Sequence, residues 1–62
     1  MTETERILLV DDEVAHLKTL ERLFDREGYE VSTAENGQQA LDRVRETHFN
    51  LVITDLMMPE VD

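Results

Sequence analysis

The sequence has no cysteine and no tryptophan, and only one proline and two glycines among its 62 residues. Without cysteine, neither disulfide staples nor thiolate metal sites are available to it. With so little proline and glycine there is no stretch that reads as a linker, so the chain is one domain or part of one. A chain of this length buries only about 60% of the surface it exposes when unfolded, which limits it to one modest core. Cationic residues are scarce too: 6 Lys and Arg stand against 15 Asp and Glu, a formal charge of −9. Such a surface repels phosphate backbones and anionic lipid, which argues against direct nucleic-acid or membrane binding. It suits a divalent cation or a basic partner face. Long apolar runs are also missing. The longest, Ile7 to Val10, is far short of a membrane span, and no basic segment with an apolar stretch follows Met1 as a secretion signal would. A hydrophobic content of 40% is nevertheless too high for compositional disorder. The expectation is an acidic, cytoplasmic, folded unit.

What is present changes period along the chain, with a turn signal beside each change. After a polar lead-in, Ile7-Leu8-Leu9-Val10 has the pattern of a strand covered on both faces. From Glu13 the spacing of Val14, Leu17, Leu20 and Phe24, with Leu23 beside the stripe, predicts one face of a helix. Gly28 supplies the left-handed residue that ends it. Tyr29 to Ala34, with β-branched Val31 and Thr33, reads as a second strand. Asn36-Gly37 has the wording of a hairpin turn. However, Ala40, Leu41 and Val44 are helically spaced, and Asn36 stands three residues before Gln39 as in a capping box. A second helix is therefore expected from about Gly37 to Thr47, and a third strand over Leu51 to Thr54, ending at Asp55. The order β-α-β-α-β implies two right-handed crossovers and a parallel sheet with strand order 2-1-3, part of a doubly wound α/β fold. In such sheets ligands sit at the carboxyl ends of the strands.

Those ends carry acids. The first strand closes on Asp11-Asp12 and the third on Asp55. Neighbouring parallel strands would bring all of these carboxylates to one edge. Two ionised carboxylates about 4 Å apart repel by about 4 kcal/mol at an effective dielectric of about 20, a cost that a hard dication with oxygen ligands offsets. Magnesium suits the set, since it takes one or two carboxylates and keeps several waters. Repulsion of this kind is expected to raise at least one carboxyl pKa. Read singly, each acid has a plainer role. Asp12 caps the first helix, with Glu13 in its first turn, and Asp55 ends a strand before a Pro59 turn.

Ile7-Leu8-Leu9-Val10-Asp11-Asp12-Glu13, then Asn36-Gly37 with Ala40-Leu41, then Leu51-Val52-Ile53-Thr54-Asp55-Leu56-Met57-Met58-Pro59 resemble, in wording and spacing, the receiver domain of bacterial two-component response regulators. The resemblance runs from about Arg6 to Asp62. It implies a flavodoxin-like fold and a phosphorelay function. Asp55 would be the phospho-acceptor, receiving its phosphoryl group from the histidine of a sensor kinase. Asp12 and Asp55 would ligate Mg²⁺ directly, Asp11 through water, and Met57 through its backbone carbonyl. The wording from Asp55 to Asp62 is similar to receivers attached to transcriptional activators, which implies a downstream output domain.

The same resemblance marks what is missing. Receivers have five strands, with a serine or threonine closing the fourth and a lysine closing the fifth. Neither can be assigned here, because Lys18 falls within the first helix and Thr54 precedes the acid on the alternate face of its strand. Residues 1–62 are thus expected to be the amino-terminal half of a receiver, not competent to switch by itself. Such a half would leave Ile7 to Val10 and Leu51 to Ile53 partly bare and self-associate along its third strand. Two other functions stay open. A haloacid-dehalogenase-like aspartyl phosphotransferase requires Asp-x-Asp after the first strand, whereas Asp11 and Asp12 are adjacent. A scaffold or oligomerisation piece would need no phosphorylation chemistry. His16 and His48 read as surface residues, since neither has a second ligand at metal spacing, and Met57 and Met58 as loop filling.

Overall fold

Four consecutive apolar residues of a strand can all be buried only where both its faces are covered, and β1 (Arg6–Val10) has that cover. The computed structural model describes residues 4–54. Along them β1 is followed by α1 (Val14–Arg26), β2 (Glu30–Ala34), α2 (Gly37–Glu46) and β3 (Leu51–Thr54). The three strands form one parallel sheet in the order β2-β1-β3, the order expected from the sequence. Side chains alternate across β1 with the period of two that a strand imposes. Ile7 and Leu9 pack with Leu17 of α1, backed by Leu20, Phe24, Tyr29, Val31 and Ile53. Leu8 and Val10 turn the other way, onto Ala34, Ala40 and Phe49. The expectation that Ile7 to Val10 are partly bare is wrong: they are 2%, 0%, 1% and 4% exposed. One helix for each face is enough to cover a strand that also has a neighbour on each side. The outer strand differs, with Leu51 and Val52 about half exposed.

Local chemistry sets the element ends. At the end of α1 the Gly28 N–H donates to the Asp25 carbonyl and the Tyr29 N–H to the Phe24 carbonyl, while Gly28 takes φ +98°. This is the Schellman closure, and it carries the apolar contact typical of it. The Phe24 and Tyr29 rings meet edge to face, with centroids 5.9 Å apart. Tyr29 belongs to this cap, so β2 starts one residue later than the sequence pattern predicts. At the start of α2, Asn36 Oδ1 accepts from the Gln39 N–H at 2.8 Å. Gln39 Oε1 in return accepts from the Glu35 N–H at 2.7 Å. The expected box forms, reaching one residue further back than the usual reciprocal bond. At the opposite edge of the sheet, Asn50 bonds twice to Arg6. Its N–H donates to the Arg6 carbonyl at 2.8 Å, and its Oδ1 accepts from the Arg6 N–H at 2.8 Å. The Arg6–Glu30 ion pair beside it, at 3.6 Å and well exposed, adds little.

The helical stripes are thinner than their spacing suggests. Val14 and Leu23 of α1 and Leu41 and Val44 of α2 are all 44% or more exposed. Leu17 is the one buried residue of α1, and α2 has none. With so little of α2 buried, its cap has an outsized share in holding it. Asn36→Ala should lower the stability of the chain by about 1 kcal/mol, measured as a shift in the urea midpoint followed by circular dichroism.

Candidate functional site

The carboxyl edge of the sheet is built by one bond beyond β1. The Asp11 N–H donates to the Ala34 carbonyl at 3.1 Å, which extends the β1–β2 ladder by one residue and anchors Asp11 at the strand's end. Asp11 is buried, with 6% of its surface exposed, whereas Asp12 is exposed. A buried carboxylate needs donors, and Asp11 has one for each oxygen. Its Oδ1 accepts from the Glu13 N–H at 2.9 Å. Its Oδ2 lies 3.3 Å from His16 Nδ1, and the same nitrogen is 3.3 Å from Glu13 Oε1. The Glu13 amide is the main influence holding the Asp11 carboxyl below its ordinary pKa. Desolvation opposes it, and the His16 hydrogen bond and charge assist. The rise expected of at least one of these carboxyls is not found at Asp11, where donated hydrogen bonds outweigh burial, and Asp55 lies outside the described residues.

The capping role considered for Asp12 is also corrected. Helix α1 begins at Val14 with Glu13 as its cap residue, and the Glu13 side chain makes no capping bond. It is Asp11, buried behind, that takes the Glu13 amide. Asp12 is thereby left exposed at the strand's end, next to a carboxylate already held ionised. Thr54, the last residue of β3, stands in register with Val10. Asp55 and Met57 lie outside the described residues, as do Met58 and Pro59. Among the described residues no group of three or more acid or imidazole side chains is gathered as a metal cluster, so the described part of the edge is the pair Asp11 and Asp12. Their donors are all carboxylate oxygens, the chemistry that suits a hard dication.

His48 is exposed before β3, as expected. His16 is exposed too, yet it is not the idle surface residue the sequence suggests. The signal that points to it is its position three residues after Glu13, one helical turn away, where side chains meet.

With fold and edge in place, comparison with known proteins decides the family. The profile described as the response regulator receiver domain matches residues 7–62, and the chain belongs to that family, a signalling domain of two-component systems. It is 48% identical over 56 residues to the transcriptional regulatory protein ZraR of Klebsiella oxytoca, which covers 90% of this chain and 13% of that protein. It is 39% identical over 61 residues to the transcriptional regulatory protein ResD of Bacillus subtilis, covering 98% of this chain and 25% of that one. The chain thus spans a quarter or less of these curated relatives. Two solved structures share the flavodoxin-like fold. The chemotaxis response regulator CheY4 of Vibrio cholerae matches with a TM-score of 0.86 at 30% identity, over 95% of this chain and 49% of that one. The response regulator TrrA of Thermotoga maritima, solved in complex with Mg²⁺-BeF, matches with a TM-score of 0.83 at 43% identity, over 94% and 50%. Among the described residues no helix is long and apolar enough to cross a membrane.

The lowered Asp11 pKa has a consequence for stability. A carboxyl whose folded pKa lies below its unfolded value stabilises the fold at every pH above the ordinary value of 3.8. That contribution is lost as pH falls through the lower folded value. Wild type should therefore exceed Asp11→Asn in urea midpoint at pH 6, and the difference should shrink steadily below pH 4.

Proposed function

We propose that the chain is the amino-terminal half of a receiver, spanning residues 1–62, that accepts a phosphoryl group on Asp55 from the phosphohistidine of a sensor kinase. The observation that carries this reading is the carboxyl edge of β1. Asp11 is buried and held ionised there, Asp12 stands exposed beside it, and the neighbouring strand β3 runs in register up to Thr54, the residue before the acceptor. Carboxylate oxygens alone fit Mg²⁺, and the Mg²⁺-BeF complex of TrrA supports that assignment. Asp12 and Asp55 would hold the ion directly, Asp11 through water, and Met57 through its backbone carbonyl. When bound, the ion orients the phosphoryl group and neutralises charge developing on it.

The chain's own part is nucleophilic. An Asp55 oxygen forms a bond to phosphorus as the phosphorus–nitrogen bond to the kinase imidazole breaks. The imidazole keeps the electron pair, and Asp55 becomes an acyl phosphate. The names of ZraR and ResD support a transcriptional output domain downstream. The acidic surface, at −9, supports a kinase face of opposite charge and argues against nucleic acid as this segment's own partner. The exposed Leu51 and Val52 of β3 support association along that strand. A dehalogenase-like hydrolase would place its nucleophile in the first-strand motif, but there Asp11 is committed to the Glu13 amide and His16.

Incubation with a small phosphodonor and Mg²⁺ should add one phosphoryl mass to wild type and none to Asp55→Asn. Equal labelling of both by intact mass would move the acceptor elsewhere. Calorimetry at low salt should show Mg²⁺ binding to wild type and lose it in Asp12→Ala. An unchanged signal would remove Asp12 from the ligands.

A further inference from the structure

We propose that His16 is a positioning residue that locks the Asp11 carboxylate in one orientation and so presents the acid pair to a cation already ordered. Two donors approach Asp11 from different directions, the His16 imidazole being one in the tautomer that carries its proton on Nδ1. The Glu13 amide is part of the backbone at the start of α1 and holds Oδ1 at 2.9 Å. The His16 imidazole stands one turn into α1 and reaches back to Oδ2 at 3.3 Å. A carboxylate held at one oxygen can still swivel about the bond to that oxygen's partner. Held at both, it keeps one plane and with it one rotamer about the Cα–Cβ bond. His16 Nδ1 also lies 3.3 Å from Glu13 Oε1, so the imidazole stands between two carboxylates and is itself steadied by the second.

Two features indicate that the arrangement serves the site and not the core. The His16 side chain is 59% exposed, outside the apolar cluster that Leu17 joins, so it contributes little packing. The carboxylate it touches is the buried one, whose 8% side-chain exposure leaves few routes for water to supply the second donor. With both oxygens engaged, Asp11 meets a hydrated ion through its remaining lone pairs, which matches the water-mediated part given to it. Partners behind a metal-side ligand commonly influence affinity about 10-fold or more. His16 has this role toward a cation only if the acid pair takes one, as proposed for the function.

The test uses the metal-free chain first. In wild type the couplings between the Asp11 Hα and its two Hβ protons, measured by NMR, should report one rotamer. In His16→Ala they should move to the intermediate values of rotamer averaging. In His16→Asn, whose side-chain amide places a donor where Nδ1 stands, they should return to the wild-type values. Averaged couplings in wild type, fixed couplings in His16→Ala, or no recovery in His16→Asn would each overturn the proposal. The second arm titrates Mg²⁺ into the two variants, which are both uncharged at this position, so that only the donor differs. His16→Asn should bind about 10-fold more tightly than His16→Ala. Equal affinities would overturn the positioning role toward the ion. Absence of Mg²⁺ binding in wild type as well would instead remove the metal reading, with the orientation of Asp11 still decided by the couplings.

Discussion

The structure depends on one strand being buried from every direction. β1 has β2 on one side, β3 on the other, α1 over one face and α2 over the other. Ile7 to Val10 therefore exchange nearly all their contact with water for contact with β2, β3, α1 and α2. Fully burying a side chain such as Leu8 or Leu9 is worth roughly 1.5–3 kcal/mol each, in a unit whose total stability is of the order of 5–15 kcal/mol. Neither α1 nor α2 could substitute for it, since α1 buries one residue and α2 none. The position of the acids follows from the same strand. Asp11 is the first residue after it and still pairs with Ala34, so the acid edge is continuous with the core.

Most of this architecture is legible in the sequence, because the strong signals are local and cheap to read. An unbroken apolar tetrad, a glycine after a helical stripe and an Asn-x-x-Gln spacing each have one favourable structural outcome. Together they give the element order and the parallel sheet. The shortfalls have a common cause. Periodicity says which residues share a face but not how much lies opposite, so Val14, Leu41 and Val44 have core-facing spacing yet remain about half exposed. Tyr29 has a residue type that suits a strand, although its amide is taken by the Phe24 carbonyl.

At the acid edge the sequence revealed the charges and concealed the donors. Counting carboxylates leads to repulsion and a raised pKa. At Asp11 the sign is decided by a backbone amide, which no side-chain pattern displays, and a histidine one turn away. The helix start lies one residue later than a cap at Asp12 requires, and that single displacement turns Glu13's amide toward Asp11. Whether Asp12 caps the helix thus depends on where the helix begins. The identities of the two aspartates could not decide it.

Asn50 gives the sheet a datum. By gripping both backbone groups of Arg6, it makes Arg6 and Asn50 a common origin from which β1 and β3 count in step, and Val10 and Thr54 fall together four residues on. Changes in length on the two sides of that origin are not equivalent. An extra residue before Asn50 falls in the α2–β3 connection, where loops absorb it. An extra residue between Asn50 and Thr54 would pass undiminished to the far end of the strand and exchange its two faces. The spacing that evolution must hold constant is therefore the count from Asn50 to the strand's end, while the connection before it is free to lengthen.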